Sequence, residues 1–126
     1  MEGYTATRID DLPSIHGGAV RLAGAGLGVE SFGLQVLEFP AGFEHYPAHD
    51  HADDGQEEVY VVLAGSADFT IGGDRVAVEA GGMVRVAPGV LRTLVPGDDG
   101  VRFLAIGCTP GGSYARPADF ELAVRS

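Results

Sequence analysis

Turn-forming residues interrupt the apolar runs of this chain so often that few folds remain open to it. Gly72-Gly73-Asp74 separates residues 67–71 from residues 75–79, two runs with the alternation of half-buried strands. The glycines there supply the positive φ that a tight hairpin turn needs. Gly81-Gly82 leads into a further run at 83–86, and Pro88-Gly89 closes it. Pro96-Gly97-Asp98-Asp99-Gly100 divides a run at 91–95 from one at 101–106. Residues 32–39, stopped by Pro40, and the apolar run 59–63, stopped by Ala64-Gly65, complete the set. Short strands spaced about 8–12 residues apart predict an all-β sandwich or barrel. Twenty glycines and seven prolines would disrupt a helical bundle. The 126 residues predict one domain with a real core.

The flanks read differently. Residues 1–13 form an irregular arm ending at Pro13. Gly24-x-Gly26-x-Gly28 lacks the preceding strand of a nucleotide-binding turn and reads as a loop or a short frayed turn. A helical turn is expected near residues 117–124, where Pro117 suits a first helical position. No nucleotide or organic cofactor is indicated.

Charge narrows the partners. The net charge is −10, and all eight basic residues are arginines scattered along the chain. A phosphate backbone or an anionic membrane surface needs clustered cations, so neither is expected as a partner. The N-terminal residues carry no basic segment followed by an apolar one, and no apolar run reaches bilayer length. The single Cys108 cannot form an internal disulfide and fits a reducing compartment. A cytoplasmic location is the expectation. Cys108 has no neighbour in sequence that would activate a thiolate.

Residues 42–65 hold the chemistry. Three of the four histidines, His45, His49 and His51, fall there among several carboxylates. Residues i and i+2 of an extended strand face the same way, so His49 and His51 stand side by side, roughly 6.5–7 Å apart at Cα. With a carboxylate from the next strand they form a two-His-one-carboxylate set suited to a first-row metal with open positions. The alternative is a polar barrel mouth without metal. A calcium loop at 50–55 is rejected, because Ala52 and Val61 stand where that pattern needs oxygen ligands.

These motifs resemble those of a small single-domain bacterial cupin. His49-x-His51, then Glu58 followed by six residues and Gly65, match the first cupin motif, with a lengthened loop at 52–57. Counting back from Gly65 selects Glu58 rather than Glu57. Gly81, five residues, Ala87-Pro88-Gly89, two residues and Arg92 match the second motif. The resemblance covers roughly residues 32–107, including the Gly55–Leu63 segment. It implies a double-stranded β-helix, or jelly-roll barrel, with a core at about 30–107 and irregular arms. It also implies a small-molecule cavity, a homodimer, and a divalent ion (Fe, Mn, Ni or Zn) on His49, His51 and Glu58. Oxygenase, isomerase or cyclase chemistry would follow, with no catalytic residue assigned.

Arg92 departs from that pattern, since the family commonly has its last metal-binding histidine there. Pro96 likewise stands where an asparagine is usual. A guanidinium stays charged at any relevant pH and repels a nearby cation by several kcal/mol. Arg92 therefore points away from the ion, holds an anionic substrate group, or replaces the ion by pairing with Glu58. The last case makes a metal-free ligand-binding or sensor protein. Tyr60 and Val62 share strand parity with Glu58 and should line the cavity. His45 is expected at the rim or as a third imidazole, and Gln56 as an amide in the lengthened loop. Phe69, Met83 and Phe103 read as core, and His16 as a loop residue.

Overall fold

The computed structural model describes residues 3–122. Two short strands, β1 (Ser14–Ile15) and β2 (Val20–Arg21), flank a one-turn helix, α1 (Ala23–Leu27), on its N-terminal side. Five longer strands follow: β3 (Gly33–Phe39), β4 (Glu57–Ile71), β5 (Asp74–Glu79), β6 (Met83–Val86) and β7 (Arg92–Cys108). All pairings are antiparallel, in the order β1-β2-β3-β7-β4-β5, with β6 beside the first half of β4 on the edge away from β7. The sheet rolls into an all-β jelly-roll barrel.

β4 and β7 carry the roll. Each serves two parts of the sheet, and their pairing runs from Glu57↔Cys108 to Ile71↔Arg92 with two register shifts, one that leaves Leu63 of β4 unpaired and one that sets residues 97–100 of β7 against Ser66 of β4. Such bulges bend a strand and increase its twist, which a long strand needs in order to curl around a core. Gly65 adopts φ +70, and a Cβ on it would lie 2.0 Å from the Gly100 carbonyl oxygen. Only glycine fits that crossing.

The turn expected at residues 96–100 is present as a bulge: the strand runs on, but residues 97–100 drop out of the pairing between Gly65↔Val101 and Ala67↔Pro96. Pro96 and the glycines that follow lie inside β7, where Pro96 faces Ala67 of β4. β7 has only one strand beside it at that point, and a sheet edge admits proline. The 67–71/75–79 hairpin forms with Ile71 opposite Asp74. Of the two alternatives for the 24–28 glycines, a loop or a short turn, the structure takes the turn: they fall in α1, with Gly28 at φ +81 ending it. The C-terminal turn is a short 3-10 segment, Ala118–Phe120, and residues 123–124 of the expectation lie outside the described residues. No helix among the described residues is long and apolar enough to cross a membrane.

Parity organises the core. Phe39, Tyr60, Val62, Phe69, Leu94 and Phe103 point inward and are nearly inaccessible to water. The Phe103 ring meets those of Phe39, Tyr46, Tyr60 and Phe69 edge-on or tilted, at centroid distances of 5.9–6.5 Å. The outward row is covered only in part. Leu12 and Ala23 of the N-terminal region pack over Val36 and, with it, against Leu34 and Leu104, whereas Leu63 stays exposed and Val59 and Val61 are half-buried. Met83, expected in the core, is 68% exposed on the same outer face as Val61. Its place in an outward register position, not its hydrophobicity, decided this.

Candidate metal centre

His49 and His51 lie on the connection between β3 and β4, outside the regular strands. His49 is nevertheless held like a strand residue, exchanging backbone hydrogen bonds of 3.0 and 2.9 Å with Arg92. His51 donates its N–H to the Pro88 carbonyl at 2.7 Å. The two rings stand 5.3 Å apart and almost perpendicular. Glu58 enters from β4, where it faces inward opposite Val86 and Gly107. Its neighbour Glu57 faces outward and pairs with Arg85. Strand parity alone separates the two glutamates.

The hydrogen bonds fix the imidazole tautomers. His49 Nδ1 lies 3.1 Å from the Pro47 carbonyl, which can only accept, so Nδ1 carries the proton. His51 Nδ1 lies 3.1 and 3.2 Å from the two Asp54 oxygens. Asp54 is itself held by the backbone and side-chain N–H groups of Gln56. Burial is the largest single influence on Asp54 and acts upward. The Gln56 N–H and the bond and charge of His51 together outweigh it and hold the carboxyl below its usual value. In the neutral form of each ring this leaves Nε2, on the Glu58 side, as the acceptor, and His51 Nε2 is buried with no hydrogen-bond partner.

Glu58 Oε1 lies 3.5 Å from His51 Nε2 and 3.9 Å from His49 Nε2. One ligand atom from each residue falls within 4.8 Å of the others. With both imidazoles neutral, two nitrogen lone pairs and a carboxylate oxygen face one another, a donor set that a cation between them would satisfy. Ligands bound at about 2.0–2.2 Å to one ion stand roughly 3–3.5 Å apart, so small side-chain adjustments complete the set. The Tyr60 hydroxyl donates to Glu58 from behind, and burial, with the Tyr46 and Glu58 neighbours, raises the Tyr60 phenol well above its ordinary value.

The cluster opens into a cavity of about 710 Å³. Its walls are Val20, Leu37, Phe39, Phe43, Tyr46, Ala105 and Phe120, with Gln35, His16 and His45 among them. Burial first, then the Glu58 charge, push the Tyr46 phenol up to about 12. Residues 35–107 match the Cupin domain family model. The chain belongs to the cupin family.

A cupin protein from Bacteroides fragilis shares its fold over the full length of both chains, with a TM-score of 0.72 and 23% identity. The DMSP lyase DddQ from Ruegeria pomeroyi aligns at 29% identity and a TM-score of 0.55 over 62% of this chain and 38% of the lyase. A predicted oxalate decarboxylase from Thermotoga maritima aligns at 24% identity and a TM-score of 0.55, over 61% of this chain and 65% of its own. No curated protein matches the chain.

Several residues stand elsewhere in this cupin than their sequence suggests. Tyr60 and Val62 are packed in the core and do not line the cavity. Tyr60 reaches the site only through Glu58. Gln56 spends its amide on Asp54 outside the cavity. His45 does line it, with its ring against Phe43 at 5.6 Å. Arg92 is almost completely buried beside Glu58, with NH1 3.9 Å from Oε1 and NH2 donating to the Ala87 carbonyl at 3.1 Å. It does not line the cavity, and its Nε and NH1 have no hydrogen-bond partner. The guanidinium thus neither turns away from the cluster nor presents itself to a cavity ligand. It backs the carboxylate.

Sequence reasoning missed Gln35, His16 and Phe120. Gln35 was accessible to parity, being the one polar residue on the face of residues 35–39 that carries Leu37 and Phe39. His16 carries no periodic signal. It holds φ +54, an uncommon backbone conformation for a residue with a side chain, and only the folded chain brings it to the cavity.

Proposed function

We propose that this cupin is a small-molecule-binding barrel, residues 1–126 acting as one domain. In this reading it holds a divalent first-row transition ion on His49 Nε2, His51 Nε2 and Glu58. The locked tautomers carry the reading: with both Nδ1 protons committed, each free nitrogen lone pair meets the Glu58 carboxylate. An ion held by two imidazoles and one carboxylate supplies Lewis-acid polarisation and open coordination positions. That chemistry serves oxygenases, isomerases and cyclases alike. The chain's own residues do the rest. Asp54 and the Pro47 carbonyl orient the imidazoles, Tyr60 and Arg92 hold Glu58, and the apolar walls keep water from a bound substrate. Enzymes occur among its structural neighbours, including the lyase and the predicted decarboxylase.

The test is metal content of untagged protein, purified without chelators, by elemental mass spectrometry. Near-stoichiometric iron, manganese, nickel or zinc is expected, and it should vanish in His49→Ala/His51→Ala. Arg92 favours a second reading, in which its unpartnered NH1 beside Glu58 substitutes for the ion and the barrel is a metal-free ligand-binding or sensor cupin. Absence of metal even after reconstitution would select it. We further propose a cytoplasmic homodimer formed through the outer face that carries Leu63 and Met83, which light scattering would check. Nucleic acid and membranes have no place in the proposal, as the charge of −10 disfavours both.

A further inference from the structure

Gln35 is one of two glutamines in the chain. Gln56 is satisfied by Asp54, whereas the Gln35 side chain makes no hydrogen bond among the described residues and faces the cavity. Ala105 is its partner on β7, and the cavity it shares is walled by Leu37, Phe39 and Phe43. An amide left unpaired against such walls is costly once water is displaced. A ligand that offers it a partner therefore gains over one of the same shape that does not.

Register places this amide relative to the metal-ligand cluster. Gln35 pairs with Ala105 of β7, Ala105 pairs with Tyr60 of β4, and Glu58 lies one pleat further along β4. Gln35 and Glu58 are thus two strands and one pleat apart, on the order of 12 Å between Cα atoms. A molecule touching both crosses Ala105 of β7 and lies against the apolar wall beside Gln35. Among the described residues no lysine or arginine lines that space, and Glu58 is its one carboxylate. A phosphate or sulfonate at the Gln35 end would meet no cation, and a sugar would leave most hydroxyls against carbon.

We propose that Gln35 is the specificity-determining residue of this cavity. Its amide hydrogen-bonds a carbonyl or hydroxyl of a neutral, ring-bearing substrate whose other end lies at the His49, His51 and Glu58 cluster. The position of that other end rests on the metal-centre reading, while the role of the amide does not.

Acetophenone and ethylbenzene are matched probes, alike in shape and differing by a carbonyl oxygen. Each is titrated into isotope-labelled full-length protein and followed by nuclear magnetic resonance, in wild type, Gln35→Leu, Gln35→Met and His49→Ala/His51→Ala. The Gln35 side-chain amide signals should move with acetophenone and not with ethylbenzene. The ratio of the acetophenone Kd to the ethylbenzene Kd should rise about threefold to tenfold in the Gln35 variants, the worth of one hydrogen bond. The His49→Ala/His51→Ala ratio should match wild type. Metal-free wild type that still shows the amide response would overturn the metal-centre reading and uphold the Gln35 role. An unchanged ratio in a folded Gln35 variant, an unresponsive Gln35 amide, or exclusion of both probes from the wild-type cavity would overturn the Gln35 role.

Discussion

The closed end and the open end of this barrel are built by the same strands and satisfied in opposite ways. At the closed end Phe69, Leu94, Val101 and Phe103 bury apolar surface against one another and leave no polar atom in need. At the open end, His51 Nε2 and Arg92 Nε and NH1 are buried without hydrogen-bond partners. A fold that needed only stability would have no reason to leave these atoms unpaired. The closed end holds the chain together, and the open end spends part of that stability on a site. Perturbations at the two ends should therefore separate stability from binding.

The largest effect belongs to the closed end. Phe103→Ala removes a fully buried ring from a cluster of four others and should cost about 3–5 kcal/mol in urea unfolding. Any loss of metal in that variant should follow its unfolding curve.

Next comes alkaline pH, which probes the boundary between the ends. The Tyr46 phenol is pushed up to about 12, against about 10 in an unfolded chain. A raised folded-state value means that its contribution is fully present below about pH 10 and is lost as pH rises through about 12. Unfolding free energy should fall over that window, on the order of 2 kcal/mol for this group. Tyr46→Phe should flatten the decline. An equally steep decline in that variant would assign it to other groups.

At the open end, Arg92→His removes a fixed cation from beside Glu58 and adds an imidazole. Divalent-metal affinity measured by calorimetry should rise at least about tenfold. An unchanged affinity would show that Arg92 does not act on the cluster. The smallest effect is expected one residue from Glu58. Glu57→Gln breaks an exposed pair with Arg85, so stability should shift by less than about 1 kcal/mol. Metal content should stay as it was. The same substitution at Glu58 should abolish metal binding, which makes this the sharpest contrast between facing inward and facing outward.

Local signals carried much of the fold. The alternation at 67–79 and its glycine turn predicted the β4–β5 hairpin, and the structure shortens the turn to Gly72-Gly73 by pairing Asp74 with Ile71. The 96–100 cluster marked a real interruption of the pairing but not its form: proline and glycine signal a bend locally, and whether it ends the strand or bulges within it depends on the neighbouring strand, a non-local fact. Met83 was misplaced because hydrophobicity does not say which face of a strand points inward.

The site divides along the same line. The amino-acid order by itself placed His49 and His51 on one face and set Glu58 on the opposite side of its strand from Glu57, since side chains along an extended chain alternate strictly. It also named Arg92 as the departure from the cupin pattern. Tertiary structure alone decided that Arg92 lies behind Glu58 and outside the cavity. It also decided that both imidazoles turn Nε2 inward, and that Gln35, His16 and Phe120 meet around one space. Those outcomes depend on how the rolled sheet brings distant segments together, and periodicity carries no information about contacts between segments so far apart in the chain.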